Sequence, residues 1–468
     1  MPLWRDRDFV AGLLLTLIML LAIANAPAAG HDLTLPAGFL LVLFAGISFP
    51  QLRMVARIFL LLSLLLLGLS VLFDPVAGQN LFAGLRRAVF YGSFFAALTF
   101  IRDAALHSEL LRRAGETITR QNPNRQYVIL TLGGHLFGMM MNFGSLGMLG
   151  TMVQRSVAAL QPEARAGLLR QGLTGLLRGF AATSTWSPLS VTPLVVVSIL
   201  PDMTWEGILP YGLASGAGLM LLGWLVQTYA DPKIGPVEGW VWESRLDWRP
   251  ILGLVTIVGG IFIGILLLRR GIGSSISEAV IVVLPLASLF WMLLQSLHRA
   301  GGLIPRMGWR LRQLMAHTLA SQRTEIIILA TAGFIGGAAS GLLPYETMGQ
   351  WLRQLPLAYL ALPLMVFWIV IGFGYVGVNP VISVSIIGTL IAQPEAFGIE
   401  PLFLGVVYLC CWSLTAQLSP FTASNLLLGS IAGVNSTVIV NQWNRRFAVA
   451  AMLGGSIAIA IAAAILHR

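Results

Sequence analysis

Residues 183–199 read TSTWSPLSVTPLVVVSI, and residues 415–431 read TAQLSPFTASNLLLGSI. The two stretches align at a constant separation of 232 residues, which superposes their Ser-Pro dipeptides. Upstream of each, FGSLG at 143–147 and FGYVG at 373–377 form a second matching pair. Two motifs that recur in the same order, almost half a chain apart, predict an internal repeat. Each motif interrupts an apolar segment with Gly, Pro and polar residues.

The chain as a whole is apolar. Of its 468 residues, 57% are hydrophobic and 10% are charged, whereas about 25% of the residues of a soluble domain are charged. This composition excludes a soluble enzyme, a disordered protein and a collagen-like fibre, and it predicts an all-α polytopic membrane protein. The apolar segments are 9–28, 36–50, 57–73, 87–101, 127–159, 169–200, 207–229, 250–268, 275–296, 325–343, 356–391, 401–431 and 447–466.

Two of these segments, 127–159 and 356–391, are too long for one crossing, and glycine-rich polar residues interrupt each of them near its centre. We therefore predict that both are re-entrant hairpins, which return to the side from which they enter. Most basic residues then fall in loops on one side, as the positive-inside rule requires. The sequence thus predicts about eleven transmembrane helices plus two hairpins, with a cytoplasmic N-terminus and a periplasmic C-terminus. The same loops explain the net charge of +10 without nucleic-acid binding.

The two hairpins enter from opposite sides, so the repeat is predicted to be inverted. The first repeat spans 36–229 and the second spans 250–466, with a cytoplasmic linker at 230–249. Residues 1–35 are predicted to hold a retained membrane helix, not a cleaved signal peptide, because their apolar stretch is long enough to span. Inverted repeats whose matched segments are interrupted by Gly and Pro are typical of secondary transporters.

Helix breaks are predicted within 169–200, at Ser187-Pro188 and Pro193, and within 401–431. Proline lacks an N–H group and clashes with the preceding turn of a helix. Unwound backbone at membrane depth is tolerated only where it lines protein or water. Its free carbonyls suit a cation, and the N-terminus of the following half-helix suits an anion. We therefore predict a binding site between the two hairpin tips and the two breaks.

Neutral polar side chains and tip glycines surround this predicted site. For the substrate we expect Asn142, Ser145, Gly147, Thr185, Ser187, Gly377, Asn379, Gln417, Ser419 and Asn425. For the coupling ion we expect Ser145, Ser190, Thr192, Gly377, Thr422, Ser424 and His135. No cofactor other than Na⁺ is expected. The adjacent Cys410 and Cys411 lack metal-ligand spacing. The alternative for each Ser and Thr is ordinary packing, since such side chains often bond to their own helix.

Two ionisable residues are predicted to lie at membrane depth, where a charge is costly and indicates function. His135, in the first arm of the first hairpin, is either a proton-coupling group or an ordinary hydrogen-bonding residue. Arg178, before the first break, either attracts an anion or extends its side chain back to the inner membrane surface. No P-loop, nucleophile elbow, HExxH or CxxC motif occurs, so the motifs do not indicate an enzyme.

Two hairpins of opposite entry, each followed by a proline-broken helix, resemble the ion transporter superfamily, in particular its divalent anion–sodium symporters. The resemblance lies in architecture and repeat spacing over about residues 36–466. It implies a scaffold domain that forms a homodimer, and a transport domain that carries substrate by an elevator-type movement. In the dicarboxylate members each tip carries a Ser-Asn-Thr motif. The corresponding tips here, Asn142–Gly147 and Gly372–Pro380, do not read Ser-Asn-Thr.

The sequence is therefore interpreted as a secondary active transporter of the bacterial inner membrane, which moves a small anionic solute by symport with Na⁺ or H⁺. The solute, the direction and the coupling ion stay open, and membrane lipids are the only other expected partners. One alternative is a membrane enzyme or carrier protein that acts on lipid-linked substrates, although the short, nearly uncharged outside loops disfavour it. Another is a channel built from similar half-helices, which unitary currents would reveal.

Overall fold

The computed structural model describes residues 6–25, 32–200, 203–232, 247–297, 302–342, 347, 350–352, 354, 357–391 and 393–467. Within these ranges the chain is helical and contains no β-strand. The all-α class predicted from composition is thus confirmed.

The helices are numbered here in chain order. The first ten are α1 (Arg7–Ala24), α2 (Thr34–Ser48), α3 (Met54–Phe73), α4 (Ala77–Leu106), α5 (Glu109–Thr119), α6 (Pro123–Met141), α7 (Phe143–Ser156), α8 (Pro162–Ala182), α9 (Val191–Ile199) and α10 (Trp205–Leu225). The others are α11 (Trp248–Ile272), α12 (Ile276–Leu297), α13 (Leu303–Gln313), α14 (Arg323–Ala338), α15 (Ala358–Tyr375), α16 (Pro380–Leu390), α17 (Pro401–Leu418), α18 (Ala423–Ala432) and α19 (Arg445–Leu466).

Ten helical segments in the described part of the chain are long and apolar enough to cross a membrane, whereas the sequence predicts about eleven. The predicted spans at 169–200 and 325–343 have no counterpart among the ten. The first is interrupted, and its longer helix α8 carries four charged side chains. The second forms α14, whose 16 residues reach about 24 Å, short of a hydrocarbon core of roughly 30 Å. Conversely α15, an arm of the second predicted hairpin, is itself one of the ten. A re-entrant course for either helix pair stays a prediction.

One compact unit comprises Met1–Ser108 and Val258–Tyr345. At its centre the 30-residue helix α4 packs against α1, α2, α3, α12 and α14. A seam of glycines joins α4 to α14, where a Cβ on Gly337 would fall on the backbone of Gly84. Small residues let membrane helices approach closely enough for extensive dispersion contacts, so this seam holds the centre of the unit together.

A second compact unit comprises Glu109–Ile257 and Glu346–Arg468. It contains α5–α10 and α15–α19, and therefore both predicted hairpins and both predicted broken helices. Each unit includes parts of both predicted repeats, so the units and the repeats divide the chain differently, and the repeat boundaries stay predictions. Most of the predicted linker 230–249 lies outside the described residues.

The tightest packing in the second unit joins α6 to α8. A Cβ on Gly179 would fall on the carbonyl oxygen of Thr131, and a Cβ on Gly134 would collide with the carbonyl group of Leu176. Because the obstructing atoms are backbone atoms, they cannot move aside by changing a rotamer. Glycine is therefore required at both positions by the close approach of the two helices.

Two Gly→Ala substitutions, one inside the α6–α8 contact and one outside it, are predicted to have opposite effects on stability. Gly179→Ala should destabilise the protein, by about 1–3 kcal/mol, because it overpacks the α6–α8 interface. Gly218→Ala in α10 meets no atom within 4 Å and should stabilise the protein by about 0.5–1 kcal/mol. The thermal unfolding midpoints of the two purified variants test this, and a Gly179→Ala midpoint at or above the Gly218→Ala value would contradict it.

Candidate substrate and ion site

The first tip is a one-residue interruption between α6 and α7. Asn142 adopts φ 50° and ψ −133°, a strained conformation that costs a non-glycine residue about 1–3 kcal/mol. Its carbonyl oxygen accepts the Ser145 hydroxyl at 2.6 Å and the Ser145 N–H at 3.0 Å. Its own side-chain amide makes no hydrogen bond to any residue that the structure describes. Strained backbone thus presents an unpaired amide at the tip, and Gly147 follows within α7.

The second tip lies between Tyr375, where α15 ends, and Pro380, where α16 begins. Gly377 has a φ of +99°, which only glycine adopts at little cost. Asn379 is the N-cap of α16, and its Oδ1 accepts the N–H of Val381 at 3.0 Å. One side of the Asn379 amide therefore has a structural role, while its NH₂ group stays available to a ligand.

The first break follows α8, which passes into a 3₁₀ turn at Thr183–Thr185 and then into non-helical residues up to Ser190. The predicted break at Ser187-Pro188 is confirmed. Pro193 does not contribute to it, because this residue lies in the first turn of α9, where an N–H has no helical partner.

The polar side chains of the first break bond mainly to their own backbone. The Thr185 hydroxyl donates to the carbonyl of Ala182 at 2.9 Å, and the Ser187 hydroxyl accepts the N–H of Leu189 at 3.3 Å. Ser190 is the N-cap of α9 and accepts the N–H of the buried Thr192 at 3.4 Å. These bonds fit the packing alternative for those residues, yet each hydroxyl oxygen keeps a free lone pair.

His135 and Trp186 close this break on one side. His135 Nδ1 lies 3.1 Å from the carbonyl oxygen of Gly179, and Trp186 Nε1 donates to His135 Nε2 at 3.2 Å. A carbonyl only accepts and an indole N–H only donates, so both bonds together require a neutral imidazole with its proton on Nδ1. Protonation of Nε2 would displace Trp186 from this bond.

The second break lies between Leu418, where α17 ends, and Ala423, where α18 begins. Its centre is the buried amide nitrogen of Asn425, which lies within hydrogen-bond distance of four oxygens. They are the carbonyls of Ser419 at 2.9 Å, Ala416 at 3.3 Å and Gln417 at 3.3 Å, and the Thr422 hydroxyl at 3.1 Å. Ser424 joins the cluster by donating to the Ala416 carbonyl at 2.7 Å.

Two amide oxygens at this break have no partner. The nitrogens of Gln417 and Asn425 face oxygen acceptors, which fixes the orientation of both amides. Gln417 Oε1 and Asn425 Oδ1 are fully buried and accept no hydrogen bond from the described residues. An unsatisfied buried acceptor costs about 1–3 kcal/mol, so both oxygens suit a ligand's N–H or O–H group or a cation. No group of three or more His, Cys, Asp or Glu in the described ranges could hold a metal ion.

The helix that follows each tip packs against the helix that follows the break in the other predicted repeat. Helix α7, which follows the first tip, packs against α18, which follows the second break. Helix α16, which follows the second tip, packs against α9, which follows the first break. The Gln154 amide donates to the Ile431 carbonyl at 2.6 Å, and the Ser413 hydroxyl donates to the Ala181 carbonyl at 2.8 Å. The helices that follow the tips therefore pack against the helices that follow the breaks, although no hydrogen bond between described residues joins one tip to the other.

Arg178 is enclosed by other protein groups, with 1% exposure, and the direction of its side chain relative to the inner membrane surface stays a prediction. It donates to Tyr127 Oη at 2.9 Å, to the Gly223 carbonyl at 3.0 Å, and to Asn444 Oδ1 at 3.0 and 3.3 Å. Asn444 in turn donates to the Gln417 carbonyl at 3.2 Å. Sequence reasoning missed Tyr127 and Asn444, because both stand at the start of an apolar segment, where polar residues are ordinary.

No protein-family model matches the chain, and no curated protein matches it significantly. Its fold is similar to the crystal structure of the YdaH transporter of Alcanivorax borkumensis, with a TM-score of 0.57 and 14% sequence identity over 87% of this chain and 98% of that one. MtrF of Neisseria gonorrhoeae, described as one of a class of antimetabolite efflux pumps, aligns over 89% and 94% of the two chains with 15% identity and a TM-score of 0.48. The similarity to YdaH places this chain among proteins with a transporter fold.

Proposed function

We propose that the protein is a secondary active transporter that moves a small anionic solute across the bacterial inner membrane with Na⁺ or H⁺. The observation that carries the proposal is the second break, where the buried amide oxygens of Gln417 and Asn425 have no hydrogen-bond partner among the described residues. Unpaired acceptors in a packed core have a physical purpose when a ligand satisfies them. The transporter fold of YdaH supports the same assignment at the level of architecture.

The substrate is proposed to bind between the tip amides and the two breaks, and the coupling ion among hydroxyl and carbonyl oxygens. Helices α9 and α18 begin at the breaks, so their N-termini present N–H groups and a partial positive charge that suit an anion. The Ala416 and Ser419 carbonyls with the Thr422 and Ser424 hydroxyls supply neutral oxygens for Na⁺. The packing of α7 against α18 and of α16 against α9 supports an inverted repeat of re-entrant hairpins.

The wider scheme is also part of the proposal. The second compact unit holds every predicted site residue, which suits a mobile transport domain, and the first suits a scaffold that dimerises. Substrate would cross by an elevator-type movement, with the N-terminus cytoplasmic and the C-terminus periplasmic.

The first experiment is a thermal unfolding series on the purified protein with a panel of small anions, each with Na⁺ or K⁺ and at two pH values. A ligand that binds only the native state raises the unfolding midpoint. One anion should raise the midpoint, more with Na⁺ if sodium is the coupling ion, or with a pH dependence if the proton is. Midpoints that respond to no anion, together with large unitary currents in bilayers, would favour a channel instead.

The tip and break assignments predict a loss of uptake that is separable from folding. Asn142→Gly relieves the positive φ and should raise stability by about 1 kcal/mol, yet uptake should fall at least tenfold because the amide is lost. Asn379→Ser keeps an N-cap oxygen, and Ser187→Ala removes one hydroxyl; both should lower uptake similarly. Uptake into proteoliposomes is the measurement.

The control is Thr256→Ala, which removes an exposed hydroxyl that bonds to its own helix and should leave uptake unchanged. Wild-type uptake in all three site variants would reject the assignment of these residues.

A proton-coupling role for His135 predicts a changed pH profile. If protonation of Nε2 and release of Trp186 belong to the transport cycle, His135→Gln should transport at a rate that no longer varies between pH 5 and 8. The glutamine amide has a donor NH₂ group and an acceptor oxygen, so it can keep both hydrogen bonds of the neutral ring. A variant whose pH profile matches that of the wild type would exclude this role and leave His135 as a structural link between α6 and the first break.

A further inference from the structure

The guanidinium of Arg178 is a buried charge to which the scheme above gives no role. Its side chain is the largest among the fully buried side chains of the described residues, with 1% exposure. Every acceptor around it is neutral: a phenol, a backbone carbonyl and an amide oxygen. The Phe447 ring lies 4.6 Å from its central carbon. These contacts satisfy four of its five N–H groups but provide no opposite charge.

None of the ion pairs between described residues includes Arg178. Outside α5, the arginine–carboxylate pairs between described residues of the second unit are two, and they join Asp231 to Arg170 and to Arg446. A buried cation is strongly destabilising unless a partner charge compensates it. The C-terminal dipole of α8 offers only a partial charge, and its effect falls off within the last turn, which begins after Arg178.

Arg178 is connected to the proposed site by two routes. Along α8 it precedes Thr183, at the first break, by five residues, about 7.5 Å at 1.5 Å per residue. Through Asn444 it is linked to the backbone carbonyl of Gln417, whose side chain carries one of the two unpaired amide oxygens. The charge thus lies beside both breaks without lining either one, and a Coulomb interaction needs no direct contact.

We infer that the bound anionic substrate is the counter-charge of Arg178, and that Arg178 makes the site select an anion over a neutral solute of the same shape. This inference rests on the proposed function and specifies which residue sets the substrate charge. Arg178 acts as a positioning residue: it holds Asn444 against the second break and supplies a fixed positive potential there.

The charge itself is tested without any ligand. Asn444→Asp replaces the side-chain amide by an isosteric carboxylate beside the guanidinium of Arg178. If Arg178 lacks a counter-charge, this substitution should raise the unfolding midpoint relative to Asn444→Ala. In an Arg178→Gln background the same comparison should show the Asp variant at or below the Ala variant, because a lone buried carboxylate is unfavourable. Equal Asp–Ala differences in the two backgrounds would show that the charge is already compensated and would overturn the inference.

Selectivity is tested with matched pairs of an anion and its neutral isostere: acetate and acetamide, benzoate and benzamide, succinate and succinamide, methanesulfonate and dimethyl sulfone. Binding is measured as the concentration-dependent shift of the unfolding midpoint. For the pair that binds, Arg178→Gln should weaken binding of the anion at least tenfold, about 1.4 kcal/mol. Binding of the neutral isostere should change little. Arg178→Lys keeps the charge and should keep the preference for the anion. Tyr127→Phe removes one hydrogen bond but no charge and serves as the matched control.

The outcomes separate the two proposals. A wild-type protein that responds to none of the anions would contradict the proposed function. A wild-type protein that responds to an anion, with an unchanged anion-to-neutral ratio in Arg178→Gln, would overturn only the role of Arg178. A Tyr127→Phe variant that loses the preference as fully as Arg178→Gln would assign the effect to local packing and would likewise overturn it.

Discussion

Backbone N–H and C=O groups that leave a helix at membrane depth must find other partners, because hydrocarbon offers none. This constraint bears on the second compact unit, in which four helical segments are interrupted and most residues of the two breaks are buried. At the first break, side chains of the same segment form hydrogen bonds with backbone groups that the interrupted helix leaves unpaired. At the second break, the amide nitrogen of Asn425 lies within hydrogen-bond distance of four oxygens around Ser419. Helix α7 packs against α18, and α16 packs against α9, so each break adjoins a helix that follows a tip.

The two breaks are matched in sequence but differ in chemistry. His135 and Trp186 close the first break, and the hydroxyls there already bond to the backbone. The second break retains two buried amide oxygens that accept no hydrogen bond within the described part of the chain. Asn425 is aligned with Pro193, and Gln417 with Thr185, so these amides occur in one half of the repeat alone. The ligand chemistry is therefore expected to be concentrated at the second break.

The sequence predicts the helical class, the positions of both interruptions and both tips, because Gly and Pro act locally and their effects follow from residue type. It predicts about eleven spans, whereas ten helices in the described ranges are long and apolar enough to cross a membrane. The difference arises because the length of α14 and the course of 162–200 depend on packing. The sequence also misses Tyr127 and Asn444. Their importance comes from long-range contacts to Arg178, and no local pattern in one sequence encodes which distant side chain a buried guanidinium will find.

The close approach of α6 and α8 also limits how the first tip can move. Backbone carbonyl groups occupy the space that a Cβ on Gly134 or Gly179 would need, so a rotation or slide of α6 along α8 would bring larger residues against this backbone. The first tip is at the end of α6 and the first break is at the end of α8, so the two form one rigid piece. A movement of the first tip is therefore expected to carry the first break with it.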